Sequence, residues 1–192
     1  MGMDEDFFAL LLQKLFLLPY RFLIPRAPYP MPTEGEGRVG ASWYAYDGDQ
    51  ERFRREMEKG EALVLALLDE VERSQGLAPR ARVLLGFSQG GYLGAWMALR
   101  HPERFHGMVV SGARVKTEWL AEEMPRAARL GFAALLCHGT RDRAVKPEAA
   151  ATSRDALAAA GVEVDLRMFE AGHSIGREQV AAIAEWLTAH VG

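Results

Sequence analysis

One serine stands between glycines in Gly86-Phe87-Ser88-Gln89-Gly90-Gly91, directly after the apolar run Arg82–Phe87 and directly before a second apolar run, Gln89–Arg100. The first run reads as a strand and the second as a helix, so Ser88 falls on a sharp strand-to-helix turn. Such a turn strains the serine backbone and leaves its hydroxyl exposed, and glycine is expected at both Gly86 and Gly90 because a side chain at either would collide across it. The hydroxyl then lies at a helix N-terminus, where N–H groups stabilise negative charge. A serine nucleophile also needs a base to take its proton and an acid to orient that base. Two downstream segments offer them: Asp142, in the loop His138-Gly139-Thr140-Arg141-Asp142, and His173, in Glu170-Ala171-Gly172-His173. In such a trio His173 would take the Ser88 proton and return it to a leaving group, while Asp142 fixes the imidazole tautomer and stabilises its cation.

These three residues can meet only if the chain brings three loops to one edge. The pattern supplies the means. Helical stretches are expected at about Glu51–Ser74, Gln89–Arg100, Thr117–Leu130, Pro147–Ala160 and Gly176–Ala189. Strands are expected at Tyr20–Ile24, Arg82–Phe87, His106–Ser111, Ala133–His138 and Val162–Phe169, with a long loop rich in proline, glycine and aromatics from about Arg26 to Gln50. Alternating strands and helices imply an α/β fold, a mainly parallel sheet with helices on both faces. Ligands then gather at the carboxyl ends of its strands, where Ser88, Asp142 and His173 all follow strand ends. The chain order Ser, Asp, His is that of an α/β-hydrolase.

The 192 residues are 49% apolar with a net charge of −3, which fits one globular domain over residues 1–192. No basic run interleaved with aromatics argues for nucleic acid, and nothing offers an anchor for an acidic membrane surface. The single cysteine, Cys137, stands in an apolar run and reads as a small buried hydrophobe. The apolar stretch Phe7–Leu18 is too short to span a bilayer, is broken by Gln13 and Lys14 and comes after Asp4, Glu5 and Asp6. Those acids suit the first turn of a helix and not a secretory leader, so a cytoplasmic protein with an unusually apolar first helix is expected. Gly35-Glu36-Gly37-Arg38-Val39-Gly40 has dinucleotide-fingerprint spacing but comes after a proline-rich loop and precedes no helix, so no cofactor is assigned to it. His101, His106 and His190 read as solvated, Ser111 as a polar strand end and His138 as shaping the Asp142 loop. No residue grouping has metal-ligand spacing.

The segments Leu23-Ile24-Pro25-Arg26-Ala27-Pro28-Tyr29-Pro30, Trp43-Tyr44, Gly86–Gly91, His138–Asp142 and Gly172-His173 together resemble the carboxylesterase/phospholipase family that includes the acyl-protein thioesterases. The resemblance runs along nearly the whole chain. It implies Ser88, Asp142 and His173 as a catalytic triad, the Gln89 backbone N–H as one oxyanion donor, and Trp43 as a residue near the acyl groove or a structural aromatic. It also implies hydrolysis of carboxylic esters or thioesters without metal or organic cofactor. The chain departs from the family where a strand should run into a His-Gly turn that carries the second oxyanion donor: Met1–Phe8 resembles the family's segment just after that turn. A sheet reduced to about five strands is therefore expected. Three arrangements are open: a start shortened relative to the working protein, direct pairing of the Tyr20–Ile24 and Arg82–Phe87 strands, or a second chain, as in a homodimer, over the exposed surface. The Met1 ammonium is a candidate stand-in for the missing donor. A non-catalytic binding or oligomeric relative is the competing expectation.

Overall fold

The computed structural model describes residues 5–32 and 39–191, and its contacts resolve into two compact units, Met1–Ala78 and Pro79–Gly192. In the first unit, α1 (Glu5–Leu12) carries Glu5 and Asp6 in its first turn, where carboxylates complement the helix dipole. A 3₁₀ turn, Gln13–Leu17, continues it and buries Leu15. The short strands β1 (Tyr29–Pro32) and β2 (Val39–Ser42) pair antiparallel, Tyr29 opposite Ser42. Helix α2 (Gln50–Gln75) begins where the Asp49 carboxylate accepts the Arg52 backbone N–H at 2.9 Å and ends at Gly76, whose φ of 60° is a left-handed cap. Its polar face carries spaced ion pairs such as Arg54–Glu58 and Arg55–Glu51.

The second unit is built on four parallel strands in the order β3 (Val83–Phe87), β4 (Gly107–Ser111), β5 (Ala133–Gly139) and β6 (Glu163–Phe169). Register is regular, with Phe87 beside Ser111, Ser111 beside Cys137 and Gly139 beside Phe169. Every residue of β4 and β5 is buried. Since successive side chains point to opposite faces, both faces of the central strands are covered. Helix α3 (Gln89–Arg100) packs on β3 and β4, while α5 (Pro147–Ala159) and α6 (Arg177–Val191) pack on β5 and β6. Trp96, Phe105, Phe132, Leu135 and Leu157 fill the core.

Three expectations change. Tyr20–Ile24 forms no strand, so the sheet has four strands and β3 has a strand neighbour on one side only among the described residues. Tyr20–Ile24 is therefore not the strand expected beside β3. The hairpin β1–β2 instead lies inside the segment expected to be an irregular loop. The helix expected over Thr117–Leu130 is divided into a 3₁₀ turn, Thr117–Trp119, and α4 (Glu123–Arg129). Pro125 sits in the first turn of α4, where a missing N–H is harmless; in one continuous helix from Thr117 it would fall in the interior, with no N–H to donate to the Ala121 carbonyl.

Candidate active site

The parallel register sends the chain out of β3, β5 and β6 at the same edge, and each exit delivers one polar group. Ser88 follows β3 with φ 51° and ψ −117°, the one positive φ at a non-glycine position among the described residues. Its backbone N–H donates to the Ser111 carbonyl at 2.9 Å, pinning the strained turn to the end of β4. Glycine is required at position 86, where a Cβ would lie 2.1 Å from the Gly90 carbonyl oxygen. The expectation for Gly90 is corrected, because a Cβ there meets nothing within 4 Å. Gly91 is the tight position instead, its Cβ site 2.8 Å from that of Ala113, because the first turn of α3 leans on the loop after β4.

The loops after β5 and β6 are laced together. Thr140 N–H donates to the Phe169 carbonyl at 2.8 Å and Arg141 N–H to that of Ala171 at 2.9 Å. A Cβ on Gly139 would sit 2.4 Å from the carbonyl oxygens of Ala171 and Gly172, so only glycine permits this approach. The lacing brings Asp142 to His173. Asp142 Oδ1 accepts the N–H groups of Ala144 at 2.8 Å and Val145 at 2.9 Å. Asp142 Oδ2 lies 2.7 Å from His173 Nδ1, and His173 Nε2 lies 3.0 Å from Ser88 Oγ. The Phe87 ring, centred 4.9 Å from the imidazole, supports its face.

Burial pushes the Asp142 carboxyl up, but the Val145 N–H, the His173 hydrogen bond and charge, and the Ala144 N–H outweigh it and hold the group below the usual carboxylate range. Asp142 is therefore an anion at neutral pH, able to accept the Nδ1–H of His173 and leave Nε2 facing the serine as a base. That arrangement can activate a hydroxyl for attack on a carbonyl carbon. Gln89 opens α3, so its backbone N–H belongs to the positive end of that helix.

Trp43 belongs to the first unit. There it is half-buried and lines an apolar groove of about 200 Å³ with Pro25, Arg26, Pro28, Leu63, Val64 and Leu67. Met1 and the glycine-rich residues 35–38 lie outside the described residues. Cys137 is buried, and burial pushes its thiol up to about 12, so it stays protonated and is no nucleophile. Ser111 Oγ donates to Gln179 Oε1 at 3.0 Å beneath the site. His106 and His190 are exposed, and His101 is half-exposed beside Glu103. Among the described residues no cluster of three or more His, Cys, Asp or Glu could hold a metal, and no helix is long and apolar enough to cross a membrane.

The sequence profile of phospholipases and carboxylesterases matches residues 1–191. The chain belongs to the phospholipase/carboxylesterase family. Within this family it is 28% identical over 175 residues to a probable SOBER1-like carboxylesterase of Arabidopsis thaliana. The chain spans 66% of the length of the curated relatives it matches. Its fold is that of Arabidopsis thaliana SOBER1, with a TM-score of 0.76 at 23% identity over 100% of this chain and 95% of the other. The fold is shared equally with Zea mays acyl-protein thioesterase 2, with a TM-score of 0.77 at 22% identity over 100% and 90% of the two chains.

One neighbour of the site was legible in sequence only as a shaping residue. His138, four residues before Asp142, lies with its Nε2 3.5 Å from Asp142 Oδ2. The i, i+4 spacing was the available signal, but the fold-back of the 138–145 loop decides it.

Proposed function

We propose that this member of the phospholipase/carboxylesterase family is a serine hydrolase that cleaves small to medium carboxylic esters or thioesters through an acyl-enzyme. The observation that carries this reading is the continuous relay from Asp142 through His173 to a serine held at positive φ. In the first half-reaction Ser88 Oγ attacks the carbonyl carbon as its proton passes to His173 Nε2. The tetrahedral oxyanion is stabilised by the Gln89 backbone N–H, and the imidazolium by Asp142. Collapse breaks the bond to the alcohol or thiol, which leaves with the proton from His173. A water molecule then attacks the acyl-enzyme by the same route, releasing the acid and restoring Ser88.

Trp43 is read as a substrate-contacting residue on the resemblance alone; the groove it lines within the first unit has six apolar residues among seven and suits an apolar ligand. A lone buried thiol fits a cytoplasmic setting. A second reading, a non-catalytic binding relative, draws on β3 having one strand neighbour among the described residues. Hydrolysis of a short-chain chromogenic ester, compared with Ser88→Ala, separates the two. Turnover and phosphonate labelling that both vanish in Ser88→Ala support the hydrolase, and a folded wild-type chain that does neither supports the binding protein.

A further inference from the structure

We propose that His138 is a positioning residue for the Asp142 carboxylate, the far end of the chain of contacts that reaches Ser88. This rests on the reading of Ser88, His173 and Asp142 as the reacting relay. His138 is the penultimate residue of β5 and its side chain is fully buried. Its Nε2 lies 2.9 Å from the Val145 carbonyl oxygen. A carbonyl only accepts, so Nε2 carries the proton and donates it there. The same N–H group sits 3.5 Å from Asp142 Oδ2, too long for a hydrogen bond of its own but with the positive end of the dipole beside the anion.

Val145 is thus held from both sides of its backbone. Its carbonyl takes the His138 proton, and its N–H donates to Asp142 Oδ1 at 2.9 Å. Fixing Oδ1 fixes the rotation of the carboxylate and with it the aim of Oδ2 at His173 Nδ1. The other nitrogen of His138 argues against a merely space-filling role. Nδ1 is buried and has no hydrogen-bond partner among the described residues, a polar atom desolvated without compensation. An aliphatic side chain of similar size would fill this position without that penalty, but it would leave the Val145 carbonyl unheld. The ring therefore contributes through its Nε2–H, where the relay needs it.

The test compares wild type, His138→Leu and His138→Gln by steady-state ester hydrolysis, thermal midpoint, and the low-field proton resonance of the His173 Nδ1–H bonded to Asp142, assigned by its loss in His173→Ala. Expected for His138→Leu is a kcat lower by on the order of 10² with KM unchanged, the cost of a misplaced catalytic group. Its thermal midpoint should be unchanged or higher, and the His173 resonance lost. The glutamine amide can still reach the Val145 carbonyl, so His138→Gln should regain most of the rate and the resonance. A leucine variant that keeps both the rate and the resonance overturns the proposal. So does one whose rate falls only in step with its thermal midpoint and is not restored by glutamine. If wild type shows no Ser88-dependent hydrolysis, the hydrolase reading fails, and the resonance alone still decides whether His138 sets the Asp142–His173 contact. Should His138→Leu not fold, His138→Asn, whose amide stops short of Val145, takes its place with the same outcomes.

Discussion

The two compact units differ in how completely they hide their apolar side chains. Ten of the twelve exposed large hydrophobics among the described residues, Leu17 and Leu63 among them, lie in Met1–Ala78, and two, Leu130 and Met168, lie in Pro79–Gly192. The second unit owes its closure to topology: β4 and β5 each have a strand on both sides and cover on both faces. The first unit has only a two-stranded hairpin among its described residues and an α2 whose middle, Ala62–Leu68, is apolar all round but nowhere fully buried. A helix of that character is ordinarily enclosed. The difference teaches where each unit contributes. The charged relay occupies the closed unit, where electrostatic interactions are strong, and the open one presents apolar surface and the Trp43 groove.

The sharpest way to test that division is on chemistry. Asp142→Asn should lower kcat for a short-chain ester by about 10⁴-fold, because the wrong histidine tautomer then faces Ser88. Circular dichroism should show the sheet intact. A loss below tenfold would remove Asp142, and with it the closed unit's electrostatics, from the account. Next in size is packing. Leu135→Ala, at a site fully enclosed in β5, should cost about 2–5 kcal/mol in urea unfolding. Leu17→Ala, at a site 88% exposed, should stay within about 0.5 kcal/mol. Equal losses would erase the distinction between the units.

The smallest expected effect is the response to acid. Asp142 lies below the usual carboxylate range for the reasons given. At Glu118, burial raises the carboxyl, but the hydrogen bond from Arg114, the backbone of Glu118 and Lys116 outweigh it and bring the group from 4.5 to about 2. Both groups release their protons more readily in the folded state than in the unfolded one. Their stabilisation is therefore present above the ordinary carboxylate pKa and lost as pH falls through the lowered folded values. The thermal midpoint should fall between pH 4.5 and about 2, and less so in Glu118→Gln. A variant whose acid profile matches wild type would show that Glu118 contributes nothing to it.

The elements of the closed unit were legible because they combine long apolar runs with clear punctuation. The expected helix Gln89–Arg100 is found with those bounds, and the strand ends that carry Ser88, Asp142 and His173 lie within a residue or so of where apolar runs stop. The open unit was less legible. Tyr20–Ile24 is rich in strand-forming residues, but no partner strand pairs with it among the described residues, and β propensity without a neighbour specifies little. The hairpin was hidden by Pro30 and Pro32, which donate no ladder hydrogen bond and mark β1 as an edge. Gly90 and Gly91 look equivalent in sequence. Only the approach of Ala113 and Val110 to Gly91 tells them apart. The role of His138 was hidden for a similar reason, since it depends on a seven-residue fold-back to Val145.

The contact between Ser88 and His173 joins residues 85 positions apart, and that between His173 and Asp142 joins residues 31 apart. Contacts of such separation form only after the intervening chain has been ordered, because loop closure must come first. None of the three strand-end loops can deliver its group until its strand has taken its place in the β3–β4–β5–β6 register. The relay is therefore a late product of assembly, and a chain caught with a partly formed sheet holds a serine, a histidine and an aspartate that have not yet met.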